Sequence, residues 1–353
     1  MPLFRFRPAL LATTALLLAA PALAQAPAAP AAREVPAKSI PVPGTVSPQM
    51  QAIIGQPLRQ NWDKPPTTPE GWRALAESNV AAVAPQIPAM AERMRVSIEP
   101  STIDGVRVYT ITPADMPAGN RNRLAVHVHG GCYVLNPREA ALPEAIFLAG
   151  FARMTVIAVD YRMPPEAYFP AALDDAMTVY KAAIRRVPPA NLAVFGSSAG
   201  GALTLEMMLR AKQEGLPMPG AIAPGTPMSD VTKQGDSFQT NALVDNVLVS
   251  PDGFCDAATR FYANGHDLAD PLLSPVYGDV RGFPPTILTT GTRDLLLSNT
   301  VRMHRALRQA GTEASLQVYE GQSHAQFYRD DRVPEVKEAF GEIAQFFDQH
   351  LGR

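Results

Sequence analysis

Short, unbroken apolar runs recur through the middle and end of the chain: Leu124–Val128, Met154–Val159, Asn191–Phe195, Ala221–Ala223 and Thr286–Thr290. Several are separated by segments of helical length, Arg138–Arg153, Ala171–Val187, Ala199–Glu214 and Ser298–Ala310. Strands that read as continuous apolar runs are covered on both faces, and their alternation with helices predicts βαβ units and a mostly parallel sheet. Ahead of them, Arg93–Ile98 and Val106–Thr112 read as a strand pair. The second alternates Val106, Val108, Thr110 and Thr112 against Arg107, Tyr109 and Ile111, and Asp104-Gly105 between the two is a turn signal. Ala314–Tyr319 supplies an eighth strand and Glu335–His350 a last helix, giving one α/β domain. Two segments stand outside the alternation. Trp72, Leu75, Ala76, Val80 and Val83 share a helical face within Pro69–Val83, ahead of the sheet. Thr226–Ala269, with a helix-like part at Asp252–Asn264, fills a place where a short connection is usual. An insertion of this length at a strand's carboxyl end commonly covers a pocket.

The amino terminus follows a different pattern. Arg5 and Arg7 precede the apolar run Ala9–Ala20, and Pro21-Ala22-Leu23-Ala24-Gln25 then offers an Ala-x-Ala site. Residues 1–24 therefore read as a secretory signal peptide cleaved after Ala24, too short to be a spanning helix and leaving no stable membrane anchor. The mature chain is expected to be exported, to a bacterial periplasm. Residues 25–48, rich in Ala and Pro, read as a tether, and 49–353 as the folded domain. The 31 Lys and Arg against 33 Asp and Glu leave a net charge of −2, which lacks the basic footprint that nucleic-acid binding requires. With 46% apolar and only 18% charged residues, disorder across most of the chain is excluded. Two cysteines, Cys132 and Cys255, cannot build a disulfide framework or a Cys-based zinc site. They are expected to be buried free thiols, although an oxidising compartment would permit them to pair. Oligomeric state is not legible in the sequence.

Chemistry enters with Gly196-Ser197-Ser198-Ala199-Gly200, a Gly-x-Ser-x-Gly pattern set between the end of a predicted strand and the start of a predicted helix. Strand, sharp turn and helix is the arrangement that pushes a serine oxygen out at the top of a sheet. A phosphate-cradling turn would want a lysine nearby, and there is none. A serine hydroxyl needs a base. Of the six histidines, His324 follows the last strand directly, at the edge where open α/β sheets bind ligands. His127, His304 and His350 read as packing or surface residues, and His266 lies in the inserted segment. Asp294, after the Thr286–Thr290 strand on that same edge, is the carboxylate expected to orient the imidazole. Asp270 is its rival, more naturally a turn former beside Pro271. The order Ser198, Asp294, His324 is that of α/β-hydrolases. His129-Gly130-Gly131-Cys132 ends the Leu124–Val128 strand. Its two glycines let the amides of Gly130 and Gly131, with that of Ala199, approach a carbonyl oxygen on which charge develops. His129 is expected to hold that loop by hydrogen bonds. No metal or organic cofactor is called for.

These motifs, with Asp160-Tyr161-Arg162, Pro165-Glu166 and Phe169-Pro170-Ala171-Ala172-Leu173-Asp174-Asp175, resemble those of the hormone-sensitive-lipase-like α/β-hydrolases, which include the bacterial family IV esterases. The resemblance covers about residues 90–350. It implies an α/β-hydrolase fold with a mostly parallel eight-stranded sheet and a helical cap from about 49–92 and 226–269. It further implies Ser198, Asp294 and His324 as catalytic triad and Gly130, Gly131 and Ala199 as oxyanion hole. Glu166 matches a position expected to support the active-site region. Cys132 stands where the family commonly has a third glycine, and Ser197 where it has Asp or Thr. Ala221–Met228 and Pro271–Thr292 look most like monoterpene ε-lactone hydrolases. The expected activity is hydrolysis of small carboxylic esters, and the apolar cap residues Leu243, Val244, Val247, Leu248, Phe254 and Phe261 point to largely apolar ones. Lactone hydrolysis is the alternative within the same chemistry, and a non-catalytic small-molecule-binding protein the alternative outside it.

Overall fold

The computed structural model describes residues 1–3 and 32–352, so the signal-peptide reading of 1–24 lies almost wholly outside the described residues. The compact unit spans Pro41–Arg353. Its first residues are already docked: Ser47 donates from its amide (2.6 Å) and its hydroxyl (2.7 Å) to the two carboxylate oxygens of Glu335. Folded chain thus includes residues before Pro48, where the sequence reading places a tether up to residue 48.

In chain order the elements are α1 (Pro48–Ile54), α2 (Pro69–Val83), α3 (Ile87–Met94), β1 (Val96–Ile103), β2 (Val106–Pro113), β3 (Leu124–Val128), α4 (Leu142–Ala152), β4 (Thr155–Val159), α5 (Ala171–Arg186), β5 (Leu192–Ser197), α6 (Ala199–Gln213) and β6 (Ala221–Gly225). The insertion carries α7 (Ser237–Thr240) and α8 (Phe254–Ala263), followed by β7 (Thr286–Gly291), α9 (Leu297–Gln309), β8 (Ala314–Tyr319) and α10 (Pro334–His350). The eight strands form one sheet in the order β1-β2-β4-β3-β5-β6-β7-β8. Pairing is antiparallel at β1–β2 and β2–β4 and parallel from β4 through to β8. This is the α/β-hydrolase fold that the sequence predicts.

The two-residue period of the buried strands distributes their side chains between two cores. Leu124, Val126 and Val128 of β3, with Leu192 and Val194 of β5, meet α5 and α6 on one face. Ala125, Ala193 and Phe195 turn to the other, against α4 and α10, where Phe147 and Phe340 pack edge to face at 5.6 Å. Small residues on the second face let α4 and α10 lie close to the sheet. α2 belongs to the cap. Trp72, buried on its inner side, stacks on Phe261 and tilts against Phe254 of α8, each at 5.5 Å. Phe254 and Phe261 therefore hold the two cap segments together, and Leu243 is 61% exposed. Of the six apolar cap residues expected to favour apolar substrates, only Val247 and Leu248 reach the cavity beside Ser198.

Cys132 and Cys255 are joined in a disulfide, which corrects the expectation of free thiols. The cause is the seating of α8 directly over the loop that follows β3. Tyr133 and Tyr262 stack with ring centroids 4.2 Å apart, and this brings the two cysteine Cα atoms to 5.5 Å, within bridging distance.

Candidate active site

Ser198 sits at the sharp turn between β5 and α6 with φ 62° and ψ −122°, a conformation that non-glycine residues rarely adopt. Three backbone hydrogen bonds hold it there: its N–H donates to Gly225 O (2.9 Å), and its carbonyl accepts from Ala202 N and Met228 N, both 3.0 Å. The flanking glycines make the turn possible. A Cβ on either Gly196 or Gly200 would lie 2.0 Å from the carbonyl oxygen of Val128, since β3 runs directly alongside. The hydroxyl of Ser198 makes no hydrogen bond among the described residues.

The adjacent strand β3 delivers His129-Gly130-Gly131. A Cβ on Gly130 would stand 2.6 Å from Ser197 O, and Gly131 has φ +114° with Leu135 O equally close. The next two residues, Cys132 and Tyr133, also have positive φ (52° and 63°), so the loop coils back on itself. The amides of Gly130, Gly131 and Ala199 donate to no partner among the described residues. His129 is fully buried, stacked on Tyr161 at 4.0 Å, with Nδ1 2.8 Å from Gly130 O. Burial pushes its imidazole down to about 3, so it is neutral and ties down the loop, as expected. Tyr161 adds a 2.6 Å hydrogen bond to His129 O.

Asp294 and His324 come together from the ends of β7 and β8: His324 Nδ1 lies 3.0 Å from Asp294 Oδ1. Asp294 is completely buried. Its Oδ1 also accepts from Leu296 N (2.8 Å), and its Oδ2 accepts from the hydroxyls of Thr290 (2.9 Å) and Thr226. Burial alone would depress the His324 imidazole, but the Asp294 charge, the hydrogen bond to it and the nearby Asp245 outweigh that, and the net displacement is upward. With Nδ1 committed to Asp294, Nε2 is the nitrogen left to act. His324 and Ser198 line one cavity of about 380 Å³. No hydrogen bond joins them; such bonds are often long in unliganded enzymes. The rival Asp270 forms a turn: its Oδ1 accepts from Leu272 N at 2.9 Å. His266 bonds Ala263 O, His304 bonds Ala314 O, and His127 lies against Glu144, all outside this cavity. Glu166 is exposed and pairs with Arg73 of α2, which fastens the cap and does not touch the site.

Several residues at the site carry no local signature in the sequence. Ser197 donates to Glu144 Oε1 at 2.5 Å, behind the nucleophile turn. Tyr133 donates to Glu206 Oε1 at 2.9 Å. Burial raises the Glu206 carboxyl well above the usual carboxylate range, and its Oε2 has no partner among the described residues. Asp245, in the inserted segment, is completely buried. Its Oδ1 accepts from Val247 N (2.8 Å) and Leu248 N (3.1 Å), and its Oδ2 from Leu295 N (2.8 Å) and His324 N (3.3 Å). One carboxylate thereby joins the cap to the loops of both Asp294 and His324. Burial and the Asp294 charge push it up to about 6. Neighbouring Asn241 and Asn246 reinforce the junction, Asn241 Nδ2 bonding Asp294 O (2.8 Å) and Asn246 Oδ1 accepting from Gln326 Nε2 (2.9 Å).

Comparison with known proteins agrees with this geometry. A family model described as alpha/beta hydrolase fold matches residues 125–328. An esterase of Acinetobacter venetianus is 29% identical over 252 residues, covering 71% of this chain and 82% of its own. An acetyl-hydrolase of Streptomyces hygroscopicus is 30% identical, covering 65% and 77%. Among solved structures, one esterase superposes with a TM-score of 0.87 at 42% identity, over 91% of this chain and 99% of its own. An esterase from the bacterial hormone-sensitive lipase family superposes with a TM-score of 0.76 at 27% identity, over 87% and 99%. The chain is a member of the alpha/beta hydrolase fold family, an esterase of the bacterial hormone-sensitive-lipase-like group.

Proposed function

We propose that the chain hydrolyses small carboxylic esters through an acyl-enzyme on Ser198. His324 Nε2 takes the hydroxyl proton as Ser198 Oγ attacks the ester carbonyl. The amides of Gly130, Gly131 and Ala199 receive the oxyanion, and Asp294 stabilises the imidazolium. His324 then returns the proton to the leaving alcohol, and water deacylates the serine by the same route. The observation that carries this reading is that His324, held 3.0 Å from buried Asp294, shares one cavity with Ser198 and Gly131. A short acyl group is supported by a small cavity of about 40 Å³ lined by Met228, Val231, Phe238 and Leu248, with Asp230, Lys233 and Asp256 also on its wall; Leu248 also lines the larger one. The acetyl-hydrolase relative points the same way. We further propose that the protein acts outside the cytoplasm, a reading supported by the Ala-x-Ala site and by a disulfide of the kind that persists in oxidising compartments.

Ser198→Ala tests the mechanism. It is expected to lower kcat on a short p-nitrophenyl ester by roughly 10⁴-fold or more and to abolish labelling by a fluorophosphonate. Retained turnover with normal labelling refutes it.

A further inference from the structure

The wall of the larger cavity is polar, and its formal charge is all of one sign. Arg59, from the stretch after α1, and Arg329, just beyond the His324 loop, both line it with Ser198 and His324, and no Asp or Glu does. Neither guanidinium has an ion-pair or hydrogen-bond partner among the described residues. The acids nearest in sequence to Arg329 are already taken: Asp330 pairs with Arg332 and Asp331 with Arg93, each at 2.6 Å. Arg59 lies over the ring of Phe254 with its Cζ 4.1 Å from the centroid, which fixes its plane and leaves its N–H edge free. Burial and the like charge of Arg329 hold the Arg59 guanidinium below its usual value. Two cations that line one pocket, the first of them partly desolvated, are unfavourable unless an anion completes them. The guanidinium fork matches a carboxylate in both geometry and charge.

We infer that the substrate is an ester bearing a free carboxylate, bound by Arg59 and Arg329 while its ester carbonyl meets Ser198. The inference rests on the serine-esterase reading and adds to it the substrate's charge. Recognition is divided: an apolar recess by Met228 and Leu248 receives a short chain, and the arginine pair receives the anion. The chemistry is ordinary hydrolysis. Each turnover consumes one water and breaks the acyl–oxygen bond, yielding an alcohol, a new carboxylate and one proton. The reaction that supplies such a substrate is one that esterifies a single carboxyl of a diacid or acylates a hydroxy acid.

The test uses pH-stat titration of that proton with two matched pairs. Monoethyl succinate against diethyl succinate places the anion on the acyl side; acetoxyacetate against its ethyl ester places it on the alcohol side. At low salt, kcat/KM for the charged member of at least one pair is expected to exceed that of its neutral partner by roughly tenfold or more, chiefly through KM. The ratio should fall toward one in Arg329→Ala, in Arg59→Ala and in the wild-type enzyme at about 0.5 M NaCl, where surface-accessible charge is screened. Arg329 is exposed, so its variant and the salt series decide the matter even if the Arg59 variant does not fold. A wild-type ratio at or below one in both pairs overturns the inference. So does a raised ratio that neither variant nor salt diminishes. Either result leaves the serine mechanism standing if Ser198→Ala is inactive on the neutral esters, whereas an active Ser198→Ala removes both.

Discussion

Opening the Cys132–Cys255 bridge should weaken the fold by an amount that the chain's connectivity sets. The two residues are 123 apart in sequence. Releasing a loop of that length restores chain entropy to the unfolded state worth about 5 kcal/mol in the loop-closure treatment. Domains are stable by only about 5–15 kcal/mol, so this is a third of the total or more. For a domain of this size the midpoint of thermal unfolding should fall by roughly 5–10 °C. The assay is circular dichroism melting of the oxidised protein, the reduced protein and the Cys132→Ser/Cys255→Ser double variant, with thiols counted in denaturant. The bridge runs from the residue after Gly131 to the cap helix α8, so turnover should fall as well, because the loop that presents the Gly130 and Gly131 amides loses its outer anchor. Two titratable thiols in the protein as isolated from an oxidising medium would refute the reasoning. Matching melting curves for the oxidised and doubly substituted proteins would also refute it.

Asp245→Asn should lower kcat/KM roughly 10- to 100-fold, because an NH2 group replaces one accepting oxygen and leaves either the Val247 and Leu248 N–H groups or the Leu295 and His324 N–H groups facing a donor. It should also move the acidic limb of the pH profile to lower pH. The Asp245 charge raises the His324 imidazole, the base must be neutral to act, and removing the charge makes it easier to deprotonate. An unmoved limb counts against that assignment. Gly200→Ala places a Cβ 2.0 Å from Val128 O, and a loss of about 1–3 kcal/mol or more is expected in urea unfolding. Burial favours the neutral form of the Glu206 carboxyl, so Glu206→Gln should change stability by less than about 1 kcal/mol and should do so equally at pH 6 and pH 8. A large loss appearing only at the higher pH would mean that Glu206 is ionised in the folded protein.

The parts of the molecule legible in the sequence are those whose physics is local. β3, β5 and β7 are readable because a strand covered on both faces must be apolar throughout, as the fully buried Leu124–Val128 is. The serine turn and the glycine loop are readable because close backbone approach excludes side chains at fixed spacings, and the Cβ positions at Gly130, Gly196 and Gly200 show how close that approach is. Asp245 and Thr226 are not readable. Their partners belong to loops tens of residues away, and nothing in their own neighbourhood marks an Asp that accepts from His324 N or a Thr that bonds Asp294. The cysteine bridge depends in the same way on where α8 is seated. Which apolar cap residues line the cavity is not readable, because composition cannot tell a side chain that faces it, as Val247 and Leu248 do, from one that stacks on Trp72.

The Asp294 and His324 loops are braced from above, by side chains on the segment between β6 and β7. Asn241, Asp245 and Asn246 reach down to Asp294, Leu295, His324 and Gln326. A lid of this kind cannot be traded between homologues as a separable selectivity part. A chimera that borrows a relative's insertion inherits a different set of braces along with the new pocket, and its turnover will shift together with its preference unless those three positions are carried across unchanged.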